Sequence, residues 1–254
     1  MPLLSVDNVT KTFGGLTAVN RVTYHVDTGE VVGLIGPNGA GKTTCFNLIT
    51  GNYTPDQGTI RFADADITGL QPNRIVRAGI ARTFQSIRLF SSMTALENVL
   101  AGCHCRMNAG LLSAMFRTPG QKQEEAAALA RALGEIDFVG LGAFTETDAV
   151  NLSYGNQRLL EIARALASEP RLLILDEPAG GMNDQETEAL VTLIEAIRKR
   201  GITVFLIEHD MSLVMKACDR IVVLEYGSKI AEGAPEDIKT HPRVIEAYLG
   251  TDED

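Results

Sequence analysis

The residues best suited to do chemistry lie in the stretch GPNGAGKTT, at positions 36 to 44. Its first eight residues fit the pattern G-x-x-x-x-G-K-[ST], in which backbone N–H groups surround a β-phosphate at a helix N-terminus. Lys42 would bring a point charge to the β- and γ-phosphates, and the Thr43 hydroxyl would be offered to Mg²⁺. The predicted nucleotide contacts in this loop are Gly36, Asn38, Gly39, Ala40, Gly41, Lys42, Thr43 and Thr44.

An acidic pair, Asp176 and Glu177, directly follows the apolar run Leu172–Leu175. At the end of a buried strand, Asp176 could orient water on Mg²⁺, while Glu177 could polarise an attacking water as a general base. A kinase would need a hydroxyl acceptor at this place. The pair of carboxylates therefore favours hydrolysis.

The elements around these residues follow an α/β pattern. The continuous apolar runs Val31–Ile35, Leu172–Leu175 and Thr203–Ile207 are typical of strands covered on both faces. Residues 185–200 have apolar side chains at helical spacing, and Gly201 ends that pattern. Strand, helix and strand in this order predict a parallel sheet with crossover helices.

Two regions depart from that pattern. The first 35 residues alternate apolar and polar types, which predicts short antiparallel strands. The segment from about 90 to 170 has little strand character, with an alanine-rich stretch at 124–133 and an amphipathic one at 157–167. We expect a helical subdomain inserted into the α/β core, with a loop or short helix at 106–123 along its edge.

A third motif, Leu152-Ser153-Tyr154-Gly155-Asn156-Gln157, precedes the amphipathic stretch. Taken alone, Ser153 is typical of an N-capping serine, although N–H groups near Gly155 would also present a helix N-terminus to an anion. The motif closely resembles the LSGGQ signature of ATP-binding-cassette (ABC) ATPases. The resemblance runs from Leu4 to about Ala231 and implies a P-loop NTPase with a RecA-like core, an N-terminal antiparallel β subdomain and an inserted helical subdomain.

The resemblance suggests roles for four more positions. Phe13 is similar to the aromatic that stacks on adenine, although by itself it could be an edge-strand core residue. Gln85 resembles the Q-loop glutamine that reaches Mg²⁺ and couples the helical subdomain to the core. His209 resembles the switch histidine that contacts the γ-phosphate, and Asn183 lies in the D-loop, where many members carry aspartate.

The cofactors that the resemblance implies are ATP and Mg²⁺. The catalytic residues expected from it are Glu177, His209 and Lys42. The Mg²⁺ ligands expected are Thr43, Gln85 and Asp176, and the signature residues expected to contact nucleotide are Ser153 and Gly155.

The resemblance also implies partners. In this family two cassettes stack head to tail, so the signature of one closes over the phosphate loop of the other. A second ATPase subunit, sister or identical, is therefore expected, together with membrane-spanning permease subunits and, indirectly, a periplasmic or extracellular substrate-binding protein. Such a chain would work at the cytoplasmic face of the inner or plasma membrane.

Within the family, several stretches are similar to the longer of the two ATPase subunits of branched-chain amino acid importers. These stretches are Tyr154 in the signature, 158–166, 177–183, 207–211, 247–250 and the segment between Val99 and Glu124. Asn156 stands where the family usually has glutamine and Gly180 where alanine is common, and we expect function to survive both. ATPases of urea or amide import and of lipopolysaccharide export are the alternatives.

Length and charge set the remaining limits. The 254 residues suit one cassette, divided into a core with β subdomain (about 1–88 and 170–235), a helical subdomain (about 89–169) and a C-terminal helical tail (about 236–254). The net charge of −9 argues against nucleic acid as a partner. A soluble ABC protein of DNA repair or translation usually carries two cassettes or a long coiled coil, and this sequence has neither. Its apolar runs are also far shorter than the ~20 residues that span a bilayer.

Overall fold

The computed structural model describes residues 2–106 and 119–249. Contacts divide the chain into two compact units, one formed by Met1–Arg82 with Arg171–Asp254 and the other by Thr83–Pro170. The division into subdomains at 1–88 with 170–235 and at 89–169 stays a prediction.

The strands of the first unit belong to two sheets. One is antiparallel, in the order β2-β1-β4-β5, and the other has the order β10-β9-β3-β8-β7-β6. The strands are β1 (Pro2–Phe13), β2 (Leu16–Asp27), β3 (Val31–Ile35), β4 (Gln57–Phe62), β5 (Ala65–Asp66), β6 (Ile80–Arg82), β7 (Leu172–Asp176), β8 (Thr203–Ile207), β9 (Arg220–Glu225) and β10 (Ser228–Gly233). At 12 residues each, β1 and β2 are longer than the short strands that the alternating pattern predicted.

The predicted parallel strands are confirmed at the centre of the second sheet. Every residue of β3, β7 and β8 is buried, as expected for continuous apolar runs covered on both faces. These strands pair in parallel, with Leu34 opposite Ile207 and Ile207 opposite Asp176. The chain segments that follow the three strands therefore all leave the sheet on the same side, at the carboxyl ends of the strands.

The first unit also contains helices, which pack against its strands. They are α1 (Lys42–Ile49), α2 (Pro72–Ala78), α6 (Asp184–Lys199), α7 (Met211–Ala217), α8 (Pro235–Lys239) and α9 (Pro242–Leu249). The ring of Phe46 on α1 packs at a tilt against that of Phe205 on β8, with 4.8 Å between centroids, and the Phe205 centroid lies 5.6 Å from that of Tyr24 on β2. These ring contacts fix α1 against both sheets, and with it the loop that precedes the helix.

The second unit is helical. Its helices are α3 (Ala95–Cys103), α4 (Pro119–Phe138) and α5 (Tyr154–Leu166), and it also contains 3₁₀ turns at His104–Arg106, Gly142–Phe144 and Ala149–Asn151. A Cβ on Gly102 would lie 2.2 Å from the Arg164 carbonyl oxygen, so only glycine allows α3 to approach α5 this closely. The expected loop or short helix at 106–123 falls mostly outside the described residues; Pro119–Gln123 begin α4.

None of the helices in the described parts of the chain is long and apolar enough to cross a membrane.

Candidate functional site

The phosphate-loop sequence forms the turn between β3 and α1. Gly36, Gly39 and Gly41 have φ angles of 149°, 78° and 99°, a region that side chains disfavour. A Cβ on Gly36 would lie 2.1 Å from the Leu224 carbonyl oxygen, and one on Gly41 would lie 2.4 Å from that of Ala18. Backbone on two sides therefore holds the loop in one shape, which only glycine permits at these positions.

The backbone N–H groups at the end of the loop lie at the N-terminus of α1. Gly41, the N-cap, has no side chain to occupy them, and the first turn of α1 carries no acidic residue. The helix dipole and the N-terminal N–H groups thus suit an anion. Ala40 is buried, whereas Asn38, Gly39 and Thr43 are exposed and Thr44 is half-buried.

Lys42 folds back over the loop. Its Nζ donates to the carbonyl oxygens of Gly36 at 2.5 Å and Pro37 at 3.0 Å. Burial lowers the pKa of Lys42, and the Glu177 carboxylate opposes this shift. The ammonium group is therefore desolvated and held beside the place that a bound phosphate would take.

Asp176 is buried at the end of β7 and accepts a 2.6 Å hydrogen bond from Arg82 Nη2. Arg82 Nη1 also donates to Asn47 Oδ1 of α1 at 2.7 Å. The parallel register places Arg82 opposite Ile174, two residues before Asp176. No role was expected for Arg82 or Asn47, because the pairing of β6 with β7 cannot be read along the chain.

Glu177 occupies a strained backbone position next to His209. Its φ angle is +47°, in the left-handed region, and its N–H donates to the Ile207 carbonyl at 2.9 Å. The Glu177 carboxylate lies 3.9 Å from His209 Nδ1. The His209 side chain is 65% exposed, so it can meet a ligand from solvent. The structure thus brings the residue expected to act as the general base close to the histidine expected to contact the γ-phosphate.

Glu208, which directly follows β8, is a further residue of this region that sequence reasoning missed. Its side chain is fully buried, and its carboxylate accepts hydrogen bonds from the backbone N–H groups of Ala179, His209 and Asp210. The available signal was an acidic residue directly after an apolar strand, the same signal that marked Asp176 and Glu177.

Phe13 lies at the end of β1 with its side chain 42% exposed. Its ring meets that of Tyr53 edge-on, at 5.1 Å between centroids, and Lys11 Nζ lies 5.5 Å from the Phe13 centroid. An exposed aromatic ring held from the side is suited to stacking.

Gln85 belongs to the second unit, where a buried ion pair holds its backbone. Arg158 of α5 donates to the carbonyl oxygens of Phe84, at 2.6 Å, and of Gln85. Glu161 accepts from Arg158 at 3.2 Å and from the Arg88 N–H at 2.8 Å. Burial raises the pKa of Glu161, and these donors oppose the shift. The Gln85 side chain is exposed, while its backbone is fastened to the helix that begins at the signature.

The signature residues also lie in the second unit. Ser153 is the N-cap of α5, and its Oγ accepts from the Asn156 N–H at 3.3 Å. Gly155 lies in the first turn, and Tyr154 is exposed with its hydroxyl accepting from Arg158. In the D-loop, Asn183 caps α6 through a reciprocal pair of hydrogen bonds with Glu186. Ser153 and Asn183 thus stabilise helix starts in this chain.

The expected site residues are therefore distributed over both units. The first unit brings the phosphate loop, Asp176, Glu177 and His209 to one region of the parallel sheet and carries Phe13 on the antiparallel sheet. The second unit carries Gln85, Ser153 and Gly155. The first set combines an anion-binding helix N-terminus, a desolvated cation and a carboxylate beside an imidazole, which together suit attack of water on a phosphate.

Comparison with known proteins agrees with this chemistry. The family model "ABC transporter" matches residues 19–180, and the model "Branched-chain amino acid ATP-binding cassette transporter" matches residues 228–254. The high-affinity branched-chain amino acid transport ATP-binding protein BraF of Pseudomonas aeruginosa is 48% identical over 250 residues, which cover 98% of each chain.

Solved structures confirm the expected fold. A nucleotide-free ATP-binding cassette from an ABC transporter superimposes with a TM-score of 0.85 at 34% identity, covering 98% of this chain and 99% of that one. A dimeric bacterial ABC transporter cassette gives a TM-score of 0.77 at 26% identity, covering 91% of this chain and 98% of that one. The chain belongs to the ABC transporter family of ATPases, among the ATP-binding proteins of the branched-chain amino acid type.

Proposed function

We propose that this chain is the ATP-hydrolysing subunit of an importer of branched-chain amino acids, working at the cytoplasmic face of the membrane through separate permease subunits. The observation that carries the proposal is the 48% identity with a branched-chain amino acid transport ATPase, sustained over 98% of both chains. The C-terminal match at residues 228–254 supports the same transported class.

Nucleotide binding falls to the residues of the phosphate loop. The N–H groups from Gly36 to Thr44 surround the β-phosphate, and Lys42 exchanges its carbonyl partners for phosphate oxygens. Phe13 stacks on the adenine ring. The desolvated environment of Lys42 strengthens its attraction to phosphate, because the charge is poorly screened there.

The oxygen atoms of Thr43 and Asp176 fit Mg²⁺, which takes a few protein oxygens and completes its octahedron with phosphates and water. When bound, Mg²⁺ neutralises charge on the β- and γ-phosphates. Asp176 is buried and oriented by Arg82, so its carboxylate needs little reorganisation to serve as a ligand. Gln85 is the third proposed ligand.

Hydrolysis falls to Glu177 and His209. Glu177, which follows directly after β7 and has a left-handed backbone, accepts the proton of the attacking water. His209, 3.9 Å away, contacts the γ-phosphate and orients the base. The leaving oxygen departs with ADP, which the phosphate loop retains.

A second ATPase subunit completes the site. Ser153 and Gly155 act on the nucleotide of the partner subunit, and the partner's signature acts on the nucleotide held by this chain. The fold similarity to a dimeric cassette supports this arrangement. A substrate-binding protein outside the membrane delivers the amino acid, and no nucleic acid takes part.

The test is reconstitution of the chain with its permease subunits and sister ATPase in liposomes. Leucine-loaded binding protein should stimulate ATP hydrolysis and drive leucine uptake, and Glu177→Gln should abolish both while ATP binding persists. Stimulation by urea- or amide-loaded binding protein instead of leucine would overturn the substrate class. Unchanged turnover in Glu177→Gln would overturn the role of the base.

A further inference from the structure

Glu208 is a buried carboxylate that joins the two loops of the proposed hydrolytic centre. Its Oε1 accepts from the Ala179 N–H at 2.9 Å, and its Oε2 accepts from the N–H groups of His209 at 2.9 Å and Asp210 at 3.2 Å. Charge-assisted hydrogen bonds of this kind are stronger than neutral ones. One side chain thus satisfies three backbone donors at the end of β8.

These donors belong to different loops. Ala179 lies two residues after Glu177 in the turn that follows β7, where the Gly180 N–H also donates to the Glu177 carbonyl at 3.2 Å. His209 and Asp210 begin the segment after β8, and Asp210 caps α7 by accepting from the N–H groups of Ser212 and Leu213. The Glu208 side chain is therefore a direct link between the loop of the base and the loop of the histidine.

The link depends on the chemistry of a carboxylate. An ionised carboxylate has two oxygens that only accept, which matches donors on two sides. An amide has one oxygen, and its NH₂ group would face a backbone N–H on one side. A glutamine at this position would consequently leave the donors of one loop unsatisfied in a buried place.

Glu208 also lies close to the His209 side chain itself. That side chain is 65% exposed, and its Nδ1 lies 3.6 Å from Glu208 Oε2 and 3.9 Å from Glu177 Oε2. The Glu177 backbone is held by the Ile207 carbonyl but lies in a strained conformation that surrounding contacts must maintain.

We propose that Glu208 is a positioning residue for ATP hydrolysis, which ties the Ala179 turn to the His209 segment and so maintains the distance between Glu177 and His209. The proposal rests on the proposed roles of these two residues. Glu208 touches no substrate, and its effect is confined to the geometry of the hydrolytic step.

The decisive variants are Glu208→Gln, which keeps the shape of the side chain, and Glu208→Asp, which keeps both oxygens. Thr203→Val is the matched control. Thr203 is fully buried at the other end of β8, and its Oγ1 accepts from the Gly29 N–H at 2.9 Å, so the variant removes a buried hydrogen bond far from the loops. All three are assayed as full-length chains in the assembled transporter, beside Glu177→Gln.

In Glu208→Gln, kcat should fall about 10- to 100-fold, the loss expected from a misplaced catalytic group. KM for ATP and the affinity of the isolated chain for ATP should change less than about twofold, because binding uses the phosphate loop. Glu208→Asp should recover part of kcat. Amide hydrogen exchange at Ala179, His209 and Asp210 should accelerate in Glu208→Gln and stay unchanged in Thr203→Val.

Wild-type kcat in Glu208→Gln would overturn the proposal. So would an equal loss of kcat in Thr203→Val at the same loss of melting temperature, since the effect would then be one of general stability. If Glu208→Gln does not fold, Glu208→Asp decides through kcat and amide exchange together. A lower kcat with faster exchange at Ala179, His209 and Asp210 supports the link, whereas faster exchange with wild-type kcat, or a lower kcat with unchanged exchange, overturns it. If Glu177→Gln retains full turnover, the proposed base is wrong; if only Glu208→Gln retains it, the link alone is wrong.

Discussion

Arg82 and Asp176 form a buried ion pair at the carboxyl ends of the neighbouring strands β6 and β7, with 2.6 Å between Arg82 Nη2 and Asp176 Oδ2. The same guanidinium donates to Asn47 on α1. Arg82 is the last residue of β6 and also the last before the unit that carries Gln85. The proposed Mg²⁺ ligand is therefore held by a residue adjacent in sequence to the Q-loop.

Arg82→Met should lower the free energy of unfolding by about 3–5 kcal/mol, because it removes the guanidinium that pairs with the buried Asp176 carboxylate. Urea denaturation of the nucleotide-free chain measures this change in the free energy of unfolding. The control is Arg243→Met, which removes an exposed ion pair with Glu225 at 3.9 Å and should change stability by less than about 1 kcal/mol. Adding Asp176→Asn to Arg82→Met should restore part of the loss; no restoration would mean that the pair is not the cause.

Phe13→Ala should weaken ATP binding by about 1–3 kcal/mol if the exposed ring stacks on adenine. Binding of inorganic tripolyphosphate should not change, since the phosphate loop is intact. Leu16→Ala serves as the control, because Leu16 is an exposed apolar residue on the strand that pairs with β1. Titration calorimetry with both ligands measures the difference. An unaltered ATP affinity would mean that Phe13 does not stack on adenine and only packs against Tyr53.

Lys42 should take up a proton when ATP binds at alkaline pH. Burial lowers the pKa of Lys42 below its ordinary value of 10.5 in the nucleotide-free chain, and phosphate anions raise it again. At a pH between these two pKa values, Lys42 is deprotonated in the free chain and protonated in the complex with ATP. Calorimetry in buffers of different ionisation enthalpy should therefore detect proton uptake at a pH between these two pKa values, and ATP affinity should fall as the pH rises through this window. Uptake should disappear once the pH lies below both pKa values, so uptake of equal size at every pH would contradict the assignment.

Gly102→Ala should destabilise the second unit by about 1–3 kcal/mol, since the added Cβ would clash with the Arg164 carbonyl and separate α3 from α5. Gly134→Ala is the matched control. Gly134 is exposed on α4 with open space around it, and alanine there should add up to about 1 kcal/mol of helix stability. Thermal unfolding of both variants should shift in opposite directions; equal shifts would refute the close approach.

The extent to which the sequence predicted the fold depended on how local each signal was. The apolar runs of β3, β7 and β8 predicted a parallel sheet because burial on both faces leaves a continuous apolar pattern. The helix at 184–199 was placed within one residue, since its apolar period and Gly201 are both local. The length of β1 and β2 was underestimated because alternation is interrupted at irregular register shifts between these strands.

The sequence by itself determined the phosphate loop, the acidic pair and the family, because those features depend on residue types at fixed local spacing. Only the tertiary structure decided that Arg82 neutralises Asp176, that Arg158 holds the Gln85 backbone and that Glu208 joins two loops. Each of these contacts spans at least 29 residues or depends on which strands lie side by side. Long-range partners of this kind are chosen by packing and by the need to satisfy buried charge, and neither leaves a periodic pattern along the chain.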